Sequence, residues 1–213
     1  MEKCCRNAYL FVRKKGEDYA KQIFSDKEAE INILSSMVTN QLNIVNAGTC
    51  GRLFDAVSAM TGICQHSTYD GEAAIKLGEL ARMNDKVVPY PCSFIKVENR
   101  LQIDFTKMLE EIADEILSGK SVESISTRFH ETIVRALVQV MVNLHEEYPE
   151  NSKRVVLSGG SLHNRYLRER LSKALNTHGF QVFNHHKVPC NDGGLSYGQL
   201  LVAAAIKEAS LCV

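Results

Sequence analysis

The chain of 213 residues contains no tryptophan, only four prolines and no net charge, since 25 lysines and arginines balance 25 aspartates and glutamates. Without an excess of positive charge there is no electrostatic reason to expect nucleic acid or an anionic membrane as a partner. No apolar run approaches the ~20 residues of a membrane span. The first residues also lack the apolar core of a signal peptide. The composition therefore predicts a cytoplasmic globular protein with no nucleic-acid or membrane partner.

The seven cysteines include no pair with the CxxC spacing that zinc knuckles use. Their odd number, in a reducing compartment, predicts small buried apolar side chains rather than a set of disulfides. Hydrophobic residues make up 45% of the chain and charged residues 23%, which is ordinary for a globular protein. The length allows one large domain or two small ones.

The first half of the chain reads as mainly helical. Apolar residues recur there at helical spacing, which predicts four helices, over 4–25, 27–40, 51–62 and 71–83. Two β-rich runs within 88–105 then predict a hairpin that turns at Glu98, Asn99 and Arg100. Further helices are predicted over 106–118 and 122–146, the second with a long apolar face.

The second half alternates strand and helix. RVVLSGG (154–160) is an apolar run closed by glycines, as a buried strand reads. The elements predicted after it are a helix over 162–176, a strand over 180–185 and a helix over 195–209. The pattern predicts one α/β domain in which a helical part, 1–84, precedes a mixed-sheet part, 85–213, flanked by helices. Ligands of such sheets bind at the carboxyl ends of strands, where both glycine pairs, 159–160 and 193–194, fall.

The stretch SGGSLHNR (158–165) joins the first of these strands to a helix. Gly159 and Gly160 would let a ligand approach the backbone closely, and free N–H groups at a helix start favour a phosphate. Asn164 lies in the first turn, where its amide can donate and accept. The alternative is a tight turn without a ligand.

The stretch NDGG (191–194) precedes the last helix. Asp192 can cap that helix, accept hydrogen bonds within its own turn, or bind a metal. His185 and His186 lie a few residues upstream and suggest a metal cluster with Asp192. Adjacent histidines at a strand end point to opposite faces, however, so both cannot easily bind one ion and a solvent-facing role is the alternative.

Two acidic residues in the first half are further candidates. Asp55, near the glycine-opened start of a helix, can accept hydrogen bonds from ribose hydroxyls or pair with Arg52. Glu72 follows Gly71 and can cap the next helix or bind a ligand hydroxyl. No Ser-His-Asp or Cys-His triad can be argued from spacing, so no residue is assigned as catalytic. His130 is expected to be packed or exposed within its helix.

Taken together, the motifs are far more specific than any one of them. GRLFDAVSAMTG, YDGEAAIKLGELA, a hairpin, FHETIVRALV, VVLSGGSLHNRYLRERL and NDGGLSYGQLLVAAA follow one another within residues 40–207. Their order and spacing resemble the C-terminal part of the HypF-type hydrogenase-maturation carbamoyltransferases. The same core is similar to the tRNA threonylcarbamoyl transferases and to antibiotic O-carbamoyltransferases. The resemblance implies one lobe of an actin-like, Hsp70-like ATPase (ribonuclease H-like) fold.

The resemblance implies chemistry on a carbamoyl adenylate, made from carbamoyl phosphate and ATP. The carbamoyl group then passes to the C-terminal cysteine of an acceptor protein and becomes the cyanide ligand of a hydrogenase. By position, Asp55 and Glu72 would hold the ribose hydroxyls of ATP or AMP. Gly159, Gly160 and Asn164 would lie against the nucleotide and Gly193 near a phosphate. Asp192 would bind a divalent metal.

The resemblance also implies what this chain lacks. The family enzyme has an acylphosphatase domain, a zinc-finger region and an adenylate-forming domain, and the other lobe carries the histidine pair that completes the metal site. The chain is therefore expected to be one lobe that needs the missing domains, in the same or a separate chain, and to be inactive or weak alone. Alternatives are a binding module without turnover and a carbamoyltransferase lobe for tRNA or a small molecule. An exposed lobe face would also allow a homodimer.

Overall fold

The computed structural model describes residues 17–43, 48–83, 86–98 and 100–211. The chain divides into two compact units, Met1–Val140 and Met141–Val213. The predicted organisation as a single domain with parts 1–84 and 85–213 stays a prediction.

The first unit is built mainly of helices. Each predicted helix is present, but the one predicted over 71–83 ends at Glu79, and the part of the first one over 4–16 lies outside the described residues. The helices are α1 (Glu17–Ile23), α2 (Glu28–Thr39), α3 (Cys50–Met60), α4 (Glu72–Glu79), α5 (Thr106–Leu117) and α6 (Val122–Glu147), the last of which continues past the unit boundary.

The core of this unit forms where the apolar faces of these helices meet. Fully buried side chains come from five of them: Ile31 from α2, Val57 from α3, Leu77 from α4, Met108 and Ile112 from α5, and Ile125 and Phe129 from α6. Each such side chain contributes about 1.5–3 kcal/mol on removal from water. The predicted apolar face of α6 is buried along its first half, whereas Leu137 and Leu144 further on are 36% and 39% exposed.

Hydroxyl groups of α6 hold the segment that leads from α4 towards the hairpin. The Ser126 hydroxyl donates to the Leu77 carbonyl oxygen at 2.6 Å. The backbone N–H of Arg82 donates to Thr127 Oγ1 at 2.9 Å, and that of Tyr90 to Thr132 Oγ1 at 2.8 Å. The described residues of this segment form no strand ladder with each other, so these side chains satisfy backbone groups that regular structure would otherwise pair.

The predicted hairpin is confirmed. Strand β1 (Ser93–Val97) pairs antiparallel with β2 (Arg100–Asp104), and Val97 faces Arg100 across the turn. Glu98 has a positive φ of 53° at the first turn position, as a two-residue hairpin connection requires. Asn99 lies outside the described residues.

The second unit carries a strand–helix–strand arrangement. Strand β3 (Arg154–Leu157) pairs in parallel with β4 (Gln181–Asn184), and α7 (Arg165–Thr177) connects them. Helix α7 buries Tyr166, Leu167, Leu171 and Leu175. The last helix is α8 (Leu195–Leu211). Within the described ranges, no helix combines the length and apolar character that crossing a membrane requires.

The strands of the described residues form two small sheets rather than the single mixed sheet that was expected. One is the antiparallel hairpin of the first unit, and the other is the parallel pair of the second. Sequence patterns indicate that a segment is extended, but which strand it pairs with depends on residues far along the chain. The patterns therefore could not show that the strands form two sheets. The α/β character itself is confirmed.

His130 is packed at the centre of the first unit, with none of its surface exposed. Its ring meets those of Phe54 and Phe129 edge to face, with centroids 5.2 and 5.4 Å away. Nδ1 lies 2.7 Å from the Ser126 carbonyl oxygen and donates its proton there. Burial lowers the pKa of His130 to about 4, an effect that this hydrogen bond only partly opposes.

We expect His130 to make the folded chain sensitive to acid. An unfolded histidine titrates near pH ~6.5, so between that pH and about 4 the folded chain binds fewer protons than the unfolded chain. The stabilisation is fully present above pH ~6.5 and is lost as the pH falls through this window, by up to about 3 kcal/mol. Urea unfolding between pH 4 and pH 8 measures it.

The variant His130→Asn retains an N–H for the Ser126 carbonyl and removes the titration, so we expect a flatter dependence of the unfolding free energy on pH. The exposed His178, changed to asparagine, is the control and should leave the slope unchanged. Equal slopes for His130→Asn and the unchanged chain would contradict the assignment.

Candidate functional site

The loop after β3 leads directly into α7. A short 3₁₀ turn, Gly160–His163, follows Gly159, and Asn164 is the N-cap of the helix. The Asn164 side-chain oxygen accepts the backbone N–H of Leu167 at 3.1 Å. Asn164 thus has a structural task, because its oxygen satisfies one of the N–H groups at the helix start.

The two glycines of this loop differ in what they require. Gly159 has φ 105° and ψ 156°, a conformation that is essentially restricted to glycine. Gly160 has no left-handed φ, and a Cβ placed on it would meet nothing within 4 Å. The backbone therefore explains Gly159, whereas the protein around Gly160 gives no reason for a glycine. The open space beside Gly160 is the place where a ligand could come close to the backbone.

The loop before α8 is shaped by Asn191 and Gly194. The Asn191 side-chain oxygen accepts the Gly193 N–H at 3.1 Å, so Asn191, rather than Asp192, is the capping residue of this turn. A Cβ on Gly194 would lie 2.8 Å from the Pro189 carbonyl oxygen and from Val188 Cγ1. The second glycine of NDGG is thus required by packing. The side chain of Asp192 is exposed to solvent.

The structure brings these two loops together at one end of the parallel strand pair. Leu157 and Asn184 are partners at the carboxyl ends of the strands. The Gly159 N–H donates to the Cys190 carbonyl oxygen at 2.7 Å. The two loops are therefore neighbours, as expected at the carboxyl ends of parallel strands. Together they carry Gly159, Gly160, Asn164, Asp192 and Gly193.

The candidate Asp55 lies in α3 of the first unit. Its side chain is 7% exposed, and Oδ2 is 3.1 Å from Arg52 Nη1. The ion pair with Arg52 that the spacing predicted is confirmed. The role of Asp55 as an acceptor for ribose hydroxyls stays a prediction.

Glu72 begins α4, in the same unit, and its carboxylate is held on both sides. Oε2 accepts from the Thr68 N–H at 2.5 Å and from the Thr68 hydroxyl at 3.0 Å. Lys76 Nζ lies 2.6 Å from Oε1. The hydrogen bond from Lys76, followed by that from the Thr68 backbone, lowers the pKa of Glu72 to about 2. The residue is therefore an anion at neutral and mildly acidic pH, with a fixed orientation.

A metal site is not complete within the described residues, among which no three histidine, cysteine, aspartate or glutamate side chains are close enough to hold one ion. Protein metal sites of the catalytic kind normally use about three protein ligands. Asp192 could give only one, and His185 is hydrogen-bonded through Nε2 to the Ser158 hydroxyl at 3.0 Å. The residues present therefore do not fit a resident metal by themselves.

Sequence reasoning missed a pocket of about 370 Å³ beside the two loops of the second unit. Its walls include His163, Arg168, His185, His186 and Lys187, which come from both loops and from the start of α7. The signal was present in the run His185-His186-Lys187 directly after a strand. The two histidines were expected either to bind a metal or to face solvent, and it is the fold that makes them and Lys187 line one pocket with Arg168.

Comparison with protein families places these observations in a known group. The family model described as "Carbamoyltransferase, Kae1-like Domain, second subdomain" matches residues 1–199. The probable carbamoyltransferase HypF of Methanocaldococcus jannaschii is 28% identical over 192 residues, which is 90% of this chain and 24% of that protein. Carbamoyltransferase HypF of Rhodobacter capsulatus is 30% identical over 207 residues, 96% of this chain and 26% of that protein.

A solved structure agrees with these matches. The crystal structure of full-length HypF in its phosphate- and nucleotide-bound form superposes with a TM-score of 0.85 at 32% identity, covering 97% of this chain and 27% of that one. A more distant relative is the tRNA N6-adenosine threonylcarbamoyltransferase of Trichodesmium erythraeum, 29% identical over 111 residues, which are 52% of this chain and 33% of that protein. The chain spans about a quarter of the length of the HypF relatives.

The glycines of the first loop allow a test of whether a glycine is required by the backbone conformation or by the approach of a ligand. We expect Gly159→Ala to lower the free energy of unfolding by about 1–3 kcal/mol, because alanine cannot adopt its φ and ψ without strain. Gly160→Ala should change it by less than about 0.5 kcal/mol, the usual range for an uncrowded surface position. Urea unfolding measures both variants. A large loss of stability in Gly160→Ala would contradict the ligand-facing interpretation of that glycine.

Proposed function

We propose that this chain is the nucleotide-binding lobe of a HypF-type enzyme. The chain belongs to the carbamoyltransferase family with a Kae1-like domain, and it matches the second subdomain of that domain. The observation that carries the proposal is the neighbouring pair of loops, in which Gly160 leaves the backbone open at the carboxyl end of a parallel strand pair. The solved HypF relative is nucleotide-bound, which supports the same ligand class here. The expected fold of this lobe is the actin-like ATPase fold.

The proposal gives each candidate residue one task. Asp55 and Glu72 accept hydrogen bonds from ribose hydroxyls of ATP or AMP, and Glu72 suits this because it is ionised and already oriented. Gly159, Gly160 and Asn164 lie against the nucleotide, and Gly193 lies near a phosphate. Backbone N–H groups at the start of α7 would favour negative charge there.

Asp192 is proposed as one ligand of a divalent metal in the complete enzyme. Its exposed carboxylate is available for an ion that other domains help to hold. Such an ion would neutralise phosphate charge. In this proposal the remaining ligands come from other domains of the complete enzyme.

The reaction proposed for the complete enzyme uses carbamoyl phosphate and ATP to form carbamoyl adenylate. The carbamoyl group then passes to the C-terminal cysteine of an acceptor protein in hydrogenase maturation. This chain would supply nucleotide contacts, and the missing lobe and domains would supply the rest. We expect the chain alone to bind nucleotide weakly and to show no turnover.

A second candidate is a carbamoyltransferase lobe that acts on tRNA. The identity to a threonylcarbamoyltransferase over half of the chain favours it. The zero net charge and the HypF relatives that cover nearly the whole chain favour the first candidate. Neighbouring genes for the missing domains or for hydrogenase maturation would distinguish a split HypF enzyme from both a tRNA enzyme and a binding module.

Calorimetric titration of the whole chain with ATP and with AMP tests the proposal. We expect saturable weak binding that Asp55→Asn and Glu72→Gln each reduce roughly tenfold, since each removes a charge-assisted hydrogen bond to a ribose hydroxyl. Glu169→Gln, which alters an exposed helical ion pair with Arg165, is the matched control and should bind like the unchanged chain. Thermal unfolding confirms that each variant is folded.

Three results would count against the proposal. The first is the absence of nucleotide binding, and the second is binding that Asp55→Asn and Glu72→Gln leave unchanged. The third is ATP hydrolysis by this chain alone that Asp192→Ala abolishes, because it would show that the missing lobe is not needed. Tight metal binding without another protein would contradict the shared metal site.

A further inference from the structure

We propose that the pocket of the second unit is a separate binding site for a small phosphorylated molecule with an apolar body. None of the residues assigned above to the nucleotide or the metal lines it, since its wall includes neither the two loop glycines Gly159 and Gly160 nor Asn164, Asp192 and Gly193. Its volume of about 370 Å³ lies within the usual range for small-molecule sites, ~300–1,000 Å³.

The charge of the pocket indicates an anion. Five basic side chains line it, and none of the aspartates and glutamates that the structure describes does. Arg168 and Lys187 carry positive charge, and the imidazole rings of the three histidines add N–H donors. Like charges gathered around one opening repel each other, and a dianion between them would relieve the repulsion. A phosphate group, with its two charges and several acceptor oxygens, matches this set.

Two of the basic side chains are held in place by the protein. Arg168 is half-buried, and its Nη1 donates to the Leu162 carbonyl oxygen at 3.2 Å. A guanidinium has five N–H donors in a rigid fork, so this anchoring bond orients the others. His185 is positioned by its hydrogen bond with the Ser158 hydroxyl at 3.0 Å. A site with fixed donors loses less entropy when it binds an anion than flexible surface lysines would.

The rest of the pocket wall is apolar. Leu157, Leu162, Val188 and Pro189 line it, and Leu157 is only 7% exposed. An inorganic anion would leave these side chains in contact with water. A phosphate monoester with an apolar body would cover them and bind more tightly, because burial of apolar surface adds to affinity.

The test uses phenyl phosphate, inorganic phosphate and phenol as probes of the whole chain, with binding followed by NMR through the backbone amide resonances. We expect saturable binding of phenyl phosphate, at least several-fold weaker binding of inorganic phosphate and no binding of phenol. Lys187→Gln and Arg168→Gln should each weaken the binding of phenyl phosphate roughly tenfold, since each removes a charged donor. Lys173→Gln, an exposed lysine of α7 outside the pocket wall, is the control and should have no effect.

Several outcomes would overturn this site. If Lys173→Gln weakened the binding of phenyl phosphate as much as Lys187→Gln did, the probe would be binding as a non-specific anion. If neither Lys187→Gln nor Arg168→Gln altered the binding of phenyl phosphate, the probe would bind elsewhere. Because Lys187 is exposed, Lys187→Gln should fold and can be measured even if Arg168→Gln fails to fold. Competitive displacement by adenosine, which lacks a phosphate, would merge the pocket with the nucleotide site. A chain that binds phenyl phosphate but not AMP would contradict the proposed function alone.

Discussion

The first unit depends on hydrogen bonds between the hydroxyls of α6 and the backbone of the segment from Leu77 to Tyr90. Threonine is a moderate helix former, yet Thr127 and Thr132 each bond the carbonyl oxygen four residues earlier and also accept an N–H from the segment. Leaving such buried groups without partners would cost about 1–3 kcal/mol each. Through Leu77, at the end of α4, the same contacts fix the helix that Glu72 begins.

In the second unit the controlling constraint is backbone conformation at two loops. Gly159 is required by its dihedral angles, and Gly194 by the lack of space beside Pro189. The hydrogen bond from Gly159 to Cys190 then ties one loop to the other. Gly160 differs from both, because neither strain nor crowding explains it. Gly159 and Gly194 thus shape the two loops, whereas Gly160 leaves space beside the backbone.

Much of this could be predicted from the sequence, because helices and the hairpin are marked by local periodicity and by turn residues. The pairing of Asp55 with Arg52 was also predictable, since residues three apart share a helix face. The division into two small sheets was not, because strand pairing depends on distant contacts. Nor was the cap by Asn191 or the pocket that Arg168 and the histidines line together, since both depend on loop conformation, which periodicity does not describe.

The geometry of Glu72 limits how it could contact a ribose. A carboxylate offers roughly four lone-pair sites, and Thr68 and Lys76 already make three contacts with it. Only about one further hydrogen bond fits without breaking an existing one. A ribose has two adjacent hydroxyls, so a second acceptor is needed for a nucleotide to be held by both. We propose that Asp55, whose Oδ2 lies 3.1 Å from Arg52 Nη1, is that second acceptor.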